Sequence, residues 1–435
     1  MLRVGVAGLS HLGVVSSVVA AAKGCEVVAY DPQIDFANGL PIAEPGLAEL
    51  FAAHRARLKP STDPHALRAC EIVVCAADVP TDQGGRSDLS AIHRLLETLI
   101  SYAAPGACLA VLSQVPPGFT RAFERQVQHS HADRGLHLYY QVETLVIGQA
   151  VERALAPERI IVGCPTAQEP LAPAYAEFLS RFACPILPMR YESAELAKIA
   201  VNMFLASSVC TTNTLAEACE AIGADWSDIV PALRSDKRIG AHAYLAAGLG
   251  LSGGNLERDL VTFQQLSQSR GTDHGVVDAW IANSRHHKAW VARILEAEVL
   301  SKIDRPIIGI WGLAYKPGTS STKNAPSLAL VQALRGATVR AYDPQARLDP
   351  EAARWPHVRQ VSLALDACQD ADALAIMTPW PEFASVDLAR VRELMGGDVL
   401  IDPYGLLSGA RCAAEGFRSI RRGGVPVQPL MAKVA

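Results

Sequence analysis

The sequence has no excess of positive charge and no long apolar run. Its 435 residues carry 40 Lys and Arg against 44 Asp and Glu, which gives a net charge of −4. Neither this balance nor any basic cluster with interleaved aromatics favours binding to nucleic acid or to an anionic membrane. No apolar run reaches the roughly 18 residues that a membrane-spanning helix needs. We therefore predict no nucleic-acid partner and no membrane partner.

Patterns typical of metal sites and of secretion are also missing. The ten cysteines are scattered at spacings that match no zinc site, and several stand inside apolar runs. His11, His54 and the pair His286–His287 have no partners at metal-ligand spacing, so we predict surface or loop histidines and no metal. The N-terminal residues show no charged segment followed by a cleavage site. We predict buried thiols in a reducing compartment and a cytoplasmic location.

The N-terminal residues instead predict a dinucleotide site. An apolar strand (3–9) leads into GLSHLG, a helical stretch follows, and a second strand ends at Asp31. Glycine permits the tight turn, the helix N-terminus offers amides to a pyrophosphate, and Asp31 can accept from a ribose 2′-hydroxyl. Because Asp31 disfavours a 2′-phosphate, NAD is predicted rather than NADP. Ser10 replaces the second glycine of the fingerprint, and its side chain is expected to narrow the approach of the cofactor.

Alternation of strands and helices continues, and one unit is repeated. Apolar runs at 71–78, 107–115 and 159–164 predict further strands of a parallel sheet covered on both faces. AYDPQ at 29–33 recurs at 341–345, each time after strand, turn, helix and strand. We predict an α/β fold of two Rossmann-like, doubly wound domains joined by a long central helix and a helical middle domain. The predicted boundaries are 1–188, 189–300 and 301–435.

The central helix is predicted over 191–223. Glu195, Lys198 and Asn202 share one of its faces, and spacing alone favours an ordinary solvated face with one Glu–Lys pair. The glycine-rich stretch at 238–259 is entropically costly and is typical of backbone that meets a ligand.

These motifs, taken in order, carry a family resemblance over the whole chain. The matching segments are GLSHLG, AEPGLAEL (43–50), VPTD followed by GRSDLSAI (79–92), QVPPGFTR (114–121), ETLVIGQAVERALAPERIIVG (143–163), ESAELAKIAVNMFLA, GLGLSGGNLERD, GLAYKPGTSSTKNAPSLAL and TPWPEF (378–383). The chain resembles the UDP-glucose/GDP-mannose dehydrogenases, most closely those acting on UDP-sugars. The resemblance implies a homodimer formed through the central helices and a role in polysaccharide or secondary-metabolite biosynthesis.

The resemblance also implies a two-step oxidation and a set of site residues. In the family, a sugar hydroxymethyl carbon is oxidised to an aldehyde, a cysteine thiolate captures the aldehyde, and a second oxidation gives a thioester that is hydrolysed to a uronate. The implied catalytic residues are Glu143, Lys198, Asn202, Asn255 and Asp259. The implied NAD-binding residues are Gly8, Ser10, His11, Leu12, Gly13, Asp31, Pro80, Thr81, Gln114 and Lys323. The implied nucleotide-sugar residues are Thr144, Leu145, Lys198, Asn202, Arg238, Tyr244, Gly248, Gly250 and Lys316, with Arg238 reaching into the partner subunit's site.

The chain departs from the family pattern at residues that take part in the reaction. Asn255 or Leu256 stands where the nucleophilic cysteine belongs, and no cysteine occurs from 220 to 367. Gln114, Ile147, Lys323 and Tyr404 replace a Thr, a second Glu, an Arg and a further Arg of the family. Capture of an aldehyde as a thiohemiacetal requires a thiolate, whereas the first oxidation requires a base and a bound nicotinamide. We therefore predict NAD-dependent oxidation of a UDP-hexose without a thioester, as a single oxidation or a reversible one that ends in epimerisation.

Two alternatives stay open. One is a uronate-forming dehydrogenase with a non-thiol mechanism, for example through a hydrated aldehyde. The other is a catalytically inactive paralogue that binds nucleotide sugars or regulates another protein.

Overall fold

The computed structural model describes residues 1–34, 39–82, 85–348 and 355–429. The chain divides into two compact units. The first is Met1–Val201 with Val261–Leu266, and the second is Asn202–Leu260 with Ser267–Ala435. The three-domain boundaries at 188 and 300 stay a prediction.

The first unit is built on an eight-stranded sheet in the order β3-β2-β1-β4-β5-β6-β7-β8. Its strands are β1 (Arg3–Ala7), β2 (Glu26–Tyr30), β3 (Leu58–Ser61), β4 (Ile72–Cys75), β5 (Cys108–Val111), β6 (His137–Gln141), β7 (Ile160–Cys164) and β8 (Ile186–Arg190). Its helices are α1 (His11–Ala22), α2 (Leu47–His54), α3 (Ser90–Tyr102), α4 (Phe119–Ser130), α5 (Ala150–Leu155) and α6 (Pro173–Ser180). Two apolar cores share these strands, and the doubly wound arrangement is as predicted.

The expectation of a purely parallel sheet is wrong at one pair. β6 and β7 pair in antiparallel orientation, whereas the other neighbours run parallel. A strand buried on both faces shows a continuous apolar run in either orientation, so the sequence pattern could not reveal the reversal.

The long helix α7 spans Tyr191–Ile222, as predicted, and Gly223 follows it with a φ of 76°. Among the described residues it is the one helix long and apolar enough to cross a membrane. Ionisable side chains within its first turns (Glu192, Glu195, Lys198) are typical of a core helix rather than of a membrane span.

The second unit holds the six-stranded parallel sheet β11-β10-β9-β12-β13-β14. Its strands are β9 (Ile307–Trp311), β10 (Thr338–Tyr342), β11 (Val358–Gln360), β12 (Ala373–Ile376), β13 (Val399–Ile401) and β14 (Arg418–Ile420). Its helices after α7 are α8 (Trp226–Ser235), α9 (Asn255–Arg270), α10 (Gly275–Lys288), α11 (Trp290–Leu295), α12 (Pro326–Ala333), α13 (Pro381–Ala384), α14 (Leu388–Leu394) and α15 (Gly409–Ala414). This confirms the second Rossmann-like domain and the helical middle predicted before it.

Candidate functional site

The turn after β1 has the geometry that a dinucleotide requires. Gly8 has a φ of 87°, and a Cβ on Gly13 would lie 1.8 Å from the Gly8 carbonyl oxygen. Only glycine therefore lets α1 start this close to the strand. The first-turn amides of α1, which include those of His11 and Leu12, have no acceptor within the helix and suit a pyrophosphate. The residues present fit NAD.

Asp31 follows β2 directly and is partly exposed. Its Oδ2 accepts from the Leu9 N–H at 2.8 Å and its Oδ1 from the Gln33 N–H at 2.9 Å. These bonds hold the carboxylate beside the glycine turn, where a ribose hydroxyl of NAD would reach it.

Ser10 and His11 are both engaged. The Ser10 hydroxyl donates to the Ala76 carbonyl at 2.8 Å, so it turns toward the end of β4. His11 Nε2 lies 2.9 Å from Glu44 Oε2, and Glu44 Oε1 accepts from the Ala150 N–H. Burial raises the pKa of the Glu44 carboxyl, but hydrogen bonds from Ala150, His11 and Gly148 outweigh it and hold the pKa below its ordinary value. His11 is therefore a fixed member of the turn rather than a free surface histidine.

The solvated-face reading of Glu195 and Asn202 is wrong, because both are buried, with 0% and 8% of their surface exposed. Glu195 accepts from the Gly118 N–H at 2.6 Å and from the Thr120 N–H at 2.8 Å, which are orphan amides at the start of α4. Burial raises the pKa of the Glu195 carboxyl against these bonds. Glu195 thus anchors the start of α7 to the segment that carries Gln114.

Glu143 and Lys198 both belong to the first unit. Glu143 follows β6, and removal from water raises the pKa of its carboxyl, while the Thr144 N–H and the charge of Lys198 act in the opposite direction. The raised pKa favours the protonated carboxyl more than in water, while the Thr144 N–H and Lys198 favour the carboxylate.

The remaining predicted residues of this unit lie in loops that follow strands. Pro80 is exposed beyond β4, and Thr81 forms a bridge with Ser87. Leu145 packs against the core.

In the second unit, the structure brings Asn202 and Asp259 together. Asn202 Nδ2 donates to Asp259 Oδ2 at 2.5 Å, and Arg258 Nε donates to Asp259 Oδ1 at 3.2 Å. Asp259 is fully buried. Asn255 is the exposed first residue of α9, one turn before Asp259. An amide held by its nitrogen turns its oxygen away from the carboxylate, and that oxygen can then accept from a substrate hydroxyl.

The glycine-rich loop, residues 248–254, precedes α9. The Gly248 N–H donates to Asn213 Oδ1 at 2.7 Å, and Gly250 has a φ of 78°. Lys323, predicted at the cofactor, lies beside this loop, and its Cε would be 3.2 Å from a Cβ on Gly254. Lys316 Nζ lies 5.8 Å from the centre of the Tyr315 ring.

Two other predicted substrate residues lie before the loop. Tyr244 is 49% exposed. Arg238 is 88% exposed at its side chain and pairs with Asp236 at 2.6 Å.

The cysteines offer no nucleophile to this unit. All ten are free and nine are buried, among them the four of this unit (Cys210, Cys219, Cys368 and Cys412). Burial raises the pKa of Cys210 to about 11 and that of Cys368 to about 12. Such thiols stay protonated and unreactive at neutral pH.

The prediction of a surface position is wrong for His287, which is 1% exposed within α10. Potential ligand atoms of Glu217, His286 and His287 lie within 4.8 Å of one another. Arg293 donates to Glu217 at 2.7 Å and lies 3.2 Å from His286 Nε2, and Arg422 lies 3.1 Å from His287 Nδ1. Burial and the charge of Arg422 lower the pKa of His287 to about 4. The two guanidinium groups contact Glu217 Oε1, His286 Nε2 and His287 Nδ1, so these residues take part in a cluster of ion pairs and hydrogen bonds.

Sequence reasoning missed Glu44 and Lys288. Glu44 lies within a motif that the sequence did show, and an acidic residue directly before Pro-Gly is the signal that could have found it. Lys288 is remote in sequence from its partners Glu257 and Asn324, so no local pattern identified it.

Known proteins match the chain over nearly its whole length. Three domain models of the UDP-glucose/GDP-mannose dehydrogenase family match the chain. The model of the NAD binding domain matches residues 2–179, that of the central domain 192–285 and that of the UDP binding domain 309–409. The UDP-glucose 6-dehydrogenase of Pseudomonas aeruginosa is 31% identical over 438 residues, which cover 96% of each chain. The UDP-glucose 6-dehydrogenase TuaD of Bacillus subtilis is 30% identical over 430 residues, covering 96% of this chain and 92% of that protein. The structure of a UDP-glucose dehydrogenase from the archaeon Pyrobaculum islandicum superposes with a TM-score of 0.84 at 26% identity, covering 99% of this chain and 98% of the other. The chain therefore belongs to the UDP-glucose/GDP-mannose dehydrogenase family of NAD-dependent oxidoreductases that act on nucleotide sugars.

Proposed function

We propose that this protein oxidises a UDP-hexose at one hydroxyl-bearing carbon, without a thioester. The net reaction is then a single oxidation, or a reversible oxidation that ends in epimerisation. The observation that carries the proposal is the sequence Gly253-Gly254-Asn255-Leu256 at the start of α9, where the family pattern has its cysteine. Neither an amide nor an isobutyl side chain can add to an aldehyde as a thiolate does.

The residues that the first oxidation needs are present. NAD held at the turn after β1 would supply the hydride acceptor, and the sugar hydroxyl would give its proton to a base as the carbon becomes a carbonyl. Lys198 acts as that base or stabilises the oxyanion, while Glu143 holds the proton near it. Asp259 keeps the Asn202 amide turned so that its oxygen accepts from the reacting hydroxyl.

The stoichiometry of NADH tests this proposal. With UDP-glucose as the first probe and UDP-galactose as the second, we expect at most one NADH per sugar and a carbonyl product or an epimer by mass spectrometry and NMR. Two NADH per UDP-glucose together with UDP-glucuronate would contradict the proposal and support the non-thiol uronate-forming alternative. Thermal stabilisation by NAD and UDP-glucose without any turnover would support the inactive paralogue.

Lys198→Ala tests the assignment of the base. We expect kcat to fall by about 10²-fold to 10⁴-fold because proton transfer loses its partner, with the affinity for NAD unchanged. Lys59→Ala, at an exposed lysine of β3 in the same unit, is the matched control. Unchanged turnover in Lys198→Ala would remove Lys198 from the mechanism.

A further inference from the structure

Residues outside the glycine-rich loop determine its shape. A Cβ on Gly250 would lie 2.6 Å from the Ser284 carbonyl oxygen, and one on Gly253 would lie 2.8 Å from the Tyr315 ring. The Leu251 N–H donates to Ser284 Oγ at 2.9 Å. Seven residues with four glycines have little conformational preference of their own, so these contacts decide the shape of the loop.

One largely buried lysine connects this loop to the start of α9. Lys288 is the last residue of α10, and its side chain is 12% exposed. Its Nζ donates to Glu257 Oε1 at 2.6 Å and also to Asn324 Oδ1. Asn324 Nδ2 in turn donates to the Gly253 carbonyl at 3.2 Å. The chain of contacts therefore runs from α9 through Lys288 to the backbone of the loop.

The arrangement costs free energy, which argues that it has a use. Asn324 adopts a φ of 54°, a left-handed conformation that is uncommon for non-glycine residues, although asparagine adopts it more readily than most of them. Burial lowers the pKa of Lys288 against the attraction of Glu257, so the folded protein retains an ammonium group in a place where water solvates it poorly. The proposed oxidation does not use this charge.

We propose that Lys288 is a positioning residue for substrate binding: through Glu257 and Asn324 it fixes the backbone of residues 248–254 in the shape that binds the nucleoside-diphosphate sugar. The inference rests on the proposed function for the identity of the ligand, but not for the effect on the loop. Lys288 acts through Asn324, whose amide holds the carbonyl of Gly253 in place. Glu257 keeps the ammonium group charged and directed at Asn324.

Hydrogen exchange of the free protein tests the effect on the loop without any ligand. In Lys288→Met we expect the amides of 248–254 to exchange about tenfold faster or more, because the bonds that hold the loop are weakened. Asn324→Gly is the second variant, since glycine accepts a φ of 54° without strain and only the side-chain bonds are lost. Lys302→Met is the control, at a lysine of the same unit that is 57% exposed and 3.2 Å from Glu298. Unchanged loop exchange in both Lys288→Met and Asn324→Gly would overturn the inference.

Calorimetric titration with UDP-glucose then tests the consequence for binding. We expect the Kd for UDP-glucose to rise about tenfold in Lys288→Met and Asn324→Gly, with the Kd for NAD unchanged and most of the loss restored in Lys288→Arg. Faster loop exchange with an unchanged Kd would overturn the role in substrate binding and leave the proposed dehydrogenase function intact. Failure of the unmodified protein to bind any UDP-hexose would overturn the proposed function and, with it, the role in binding, while the exchange result still decides whether Lys288 shapes the loop.

Discussion

The two Rossmann-like halves contain the same pentapeptide, AYDPQ, and in both its aspartate accepts a hydrogen bond from the glycine turn. In the first half the Leu9 N–H donates to Asp31 at 2.8 Å, and in the second the Leu313 N–H donates to Asp343 at 2.7 Å. In both halves the carboxylate is folded back onto the preceding glycine turn. The repeated pentapeptide therefore specifies a local turn and not, by itself, a cofactor site.

The halves differ in what else reaches the carboxylate. Asp343 also accepts from the Ala314 N–H at 2.9 Å and from Trp380 Nε1 at 3.1 Å, and it is 1% exposed. Asp31 stays partly exposed, and the residue at the position corresponding to Trp380 is Val79, which has no N–H in its side chain. The second aspartate is fully used inside its own unit, whereas the first has room for a ribose hydroxyl.

The helix that follows the turn differs as well. α1 begins three residues after Gly8, so its N-terminal amides face the turn. α12 begins only at Pro326, fourteen residues after Gly312. A dinucleotide site needs both the nearby helix N-terminus and a carboxylate with a free side, and only the first half supplies both.

Replacing the second aspartate should have the largest effect. Asp343→Ala removes the acceptor of five donors, four backbone amides and the Trp380 indole. We expect a loss of about 4 kcal/mol and a Tm lower by about 10 °C, because buried donors are left unpaired. All six tryptophans (Trp226, Trp280, Trp290, Trp311, Trp355 and Trp380) belong to the second unit, so their fluorescence reports on its unfolding alone. Asp31→Ala is the control; because its unit holds no tryptophan, calorimetric unfolding measures its loss, and equal losses in the two variants would contradict the comparison.

The next largest losses of stability are expected from replacing the glycines of the two turns, Gly312 and Gly8. A Cβ on Gly312 would lie 2.4 Å from the Thr378 Cβ, whereas one on Gly8 would lie 2.9 Å from the Ala77 nitrogen. Both positions have positive φ, so we expect Gly312→Ala to cost about 3 kcal/mol and Gly8→Ala about 2 kcal/mol. Calorimetric unfolding of the two variants measures this order, and a reversed order would show that the second turn yields more easily than the structure indicates.

The sequence predicted the repeated unit because its signals are local. Glycine at a positive-φ turn, an apolar strand and an acidic strand end all lie within about 30 residues, and the structure reproduces them in both halves. It did not predict that Asp343 is fully occupied, because Trp380 lies 37 residues further on and only the fold brings it there. The role of Lys288 and the buried contacts of Glu195 were not predicted for the same reason, since their partners are far away in sequence. The reversal at β7 left no trace in an apolar run.

The first aspartate should affect the cofactor more than the fold. We expect Asp31→Ala to raise the Kd for NAD by about tenfold to a hundredfold, because a hydrogen bond to a charged group contributes about 1.5–3 kcal/mol. Titration with NADP distinguishes this from damage to the turn. A damaged turn would weaken NAD and NADP alike, whereas loss of the carboxylate should weaken NAD and leave NADP unchanged or improved.

Trp380→Phe should have the smallest effect and most directly addresses what makes the two aspartates different. It removes one of five donors from Asp343 and keeps most of the buried volume, so we expect a loss of about 1–2 kcal/mol. Urea unfolding followed by the five remaining tryptophans measures it.

A double-mutant cycle with Asp343→Asn tests whether the two side chains interact. The amide nitrogen that this substitution introduces would oppose the donors around it, and removing the Trp380 indole would relieve one of these conflicts. We therefore expect a coupling of about 1 kcal/mol. Additive losses would mean that Trp380 fills space beside Asp343 without saturating it, and the occupied state of the second carboxylate would then rest on the backbone amides alone.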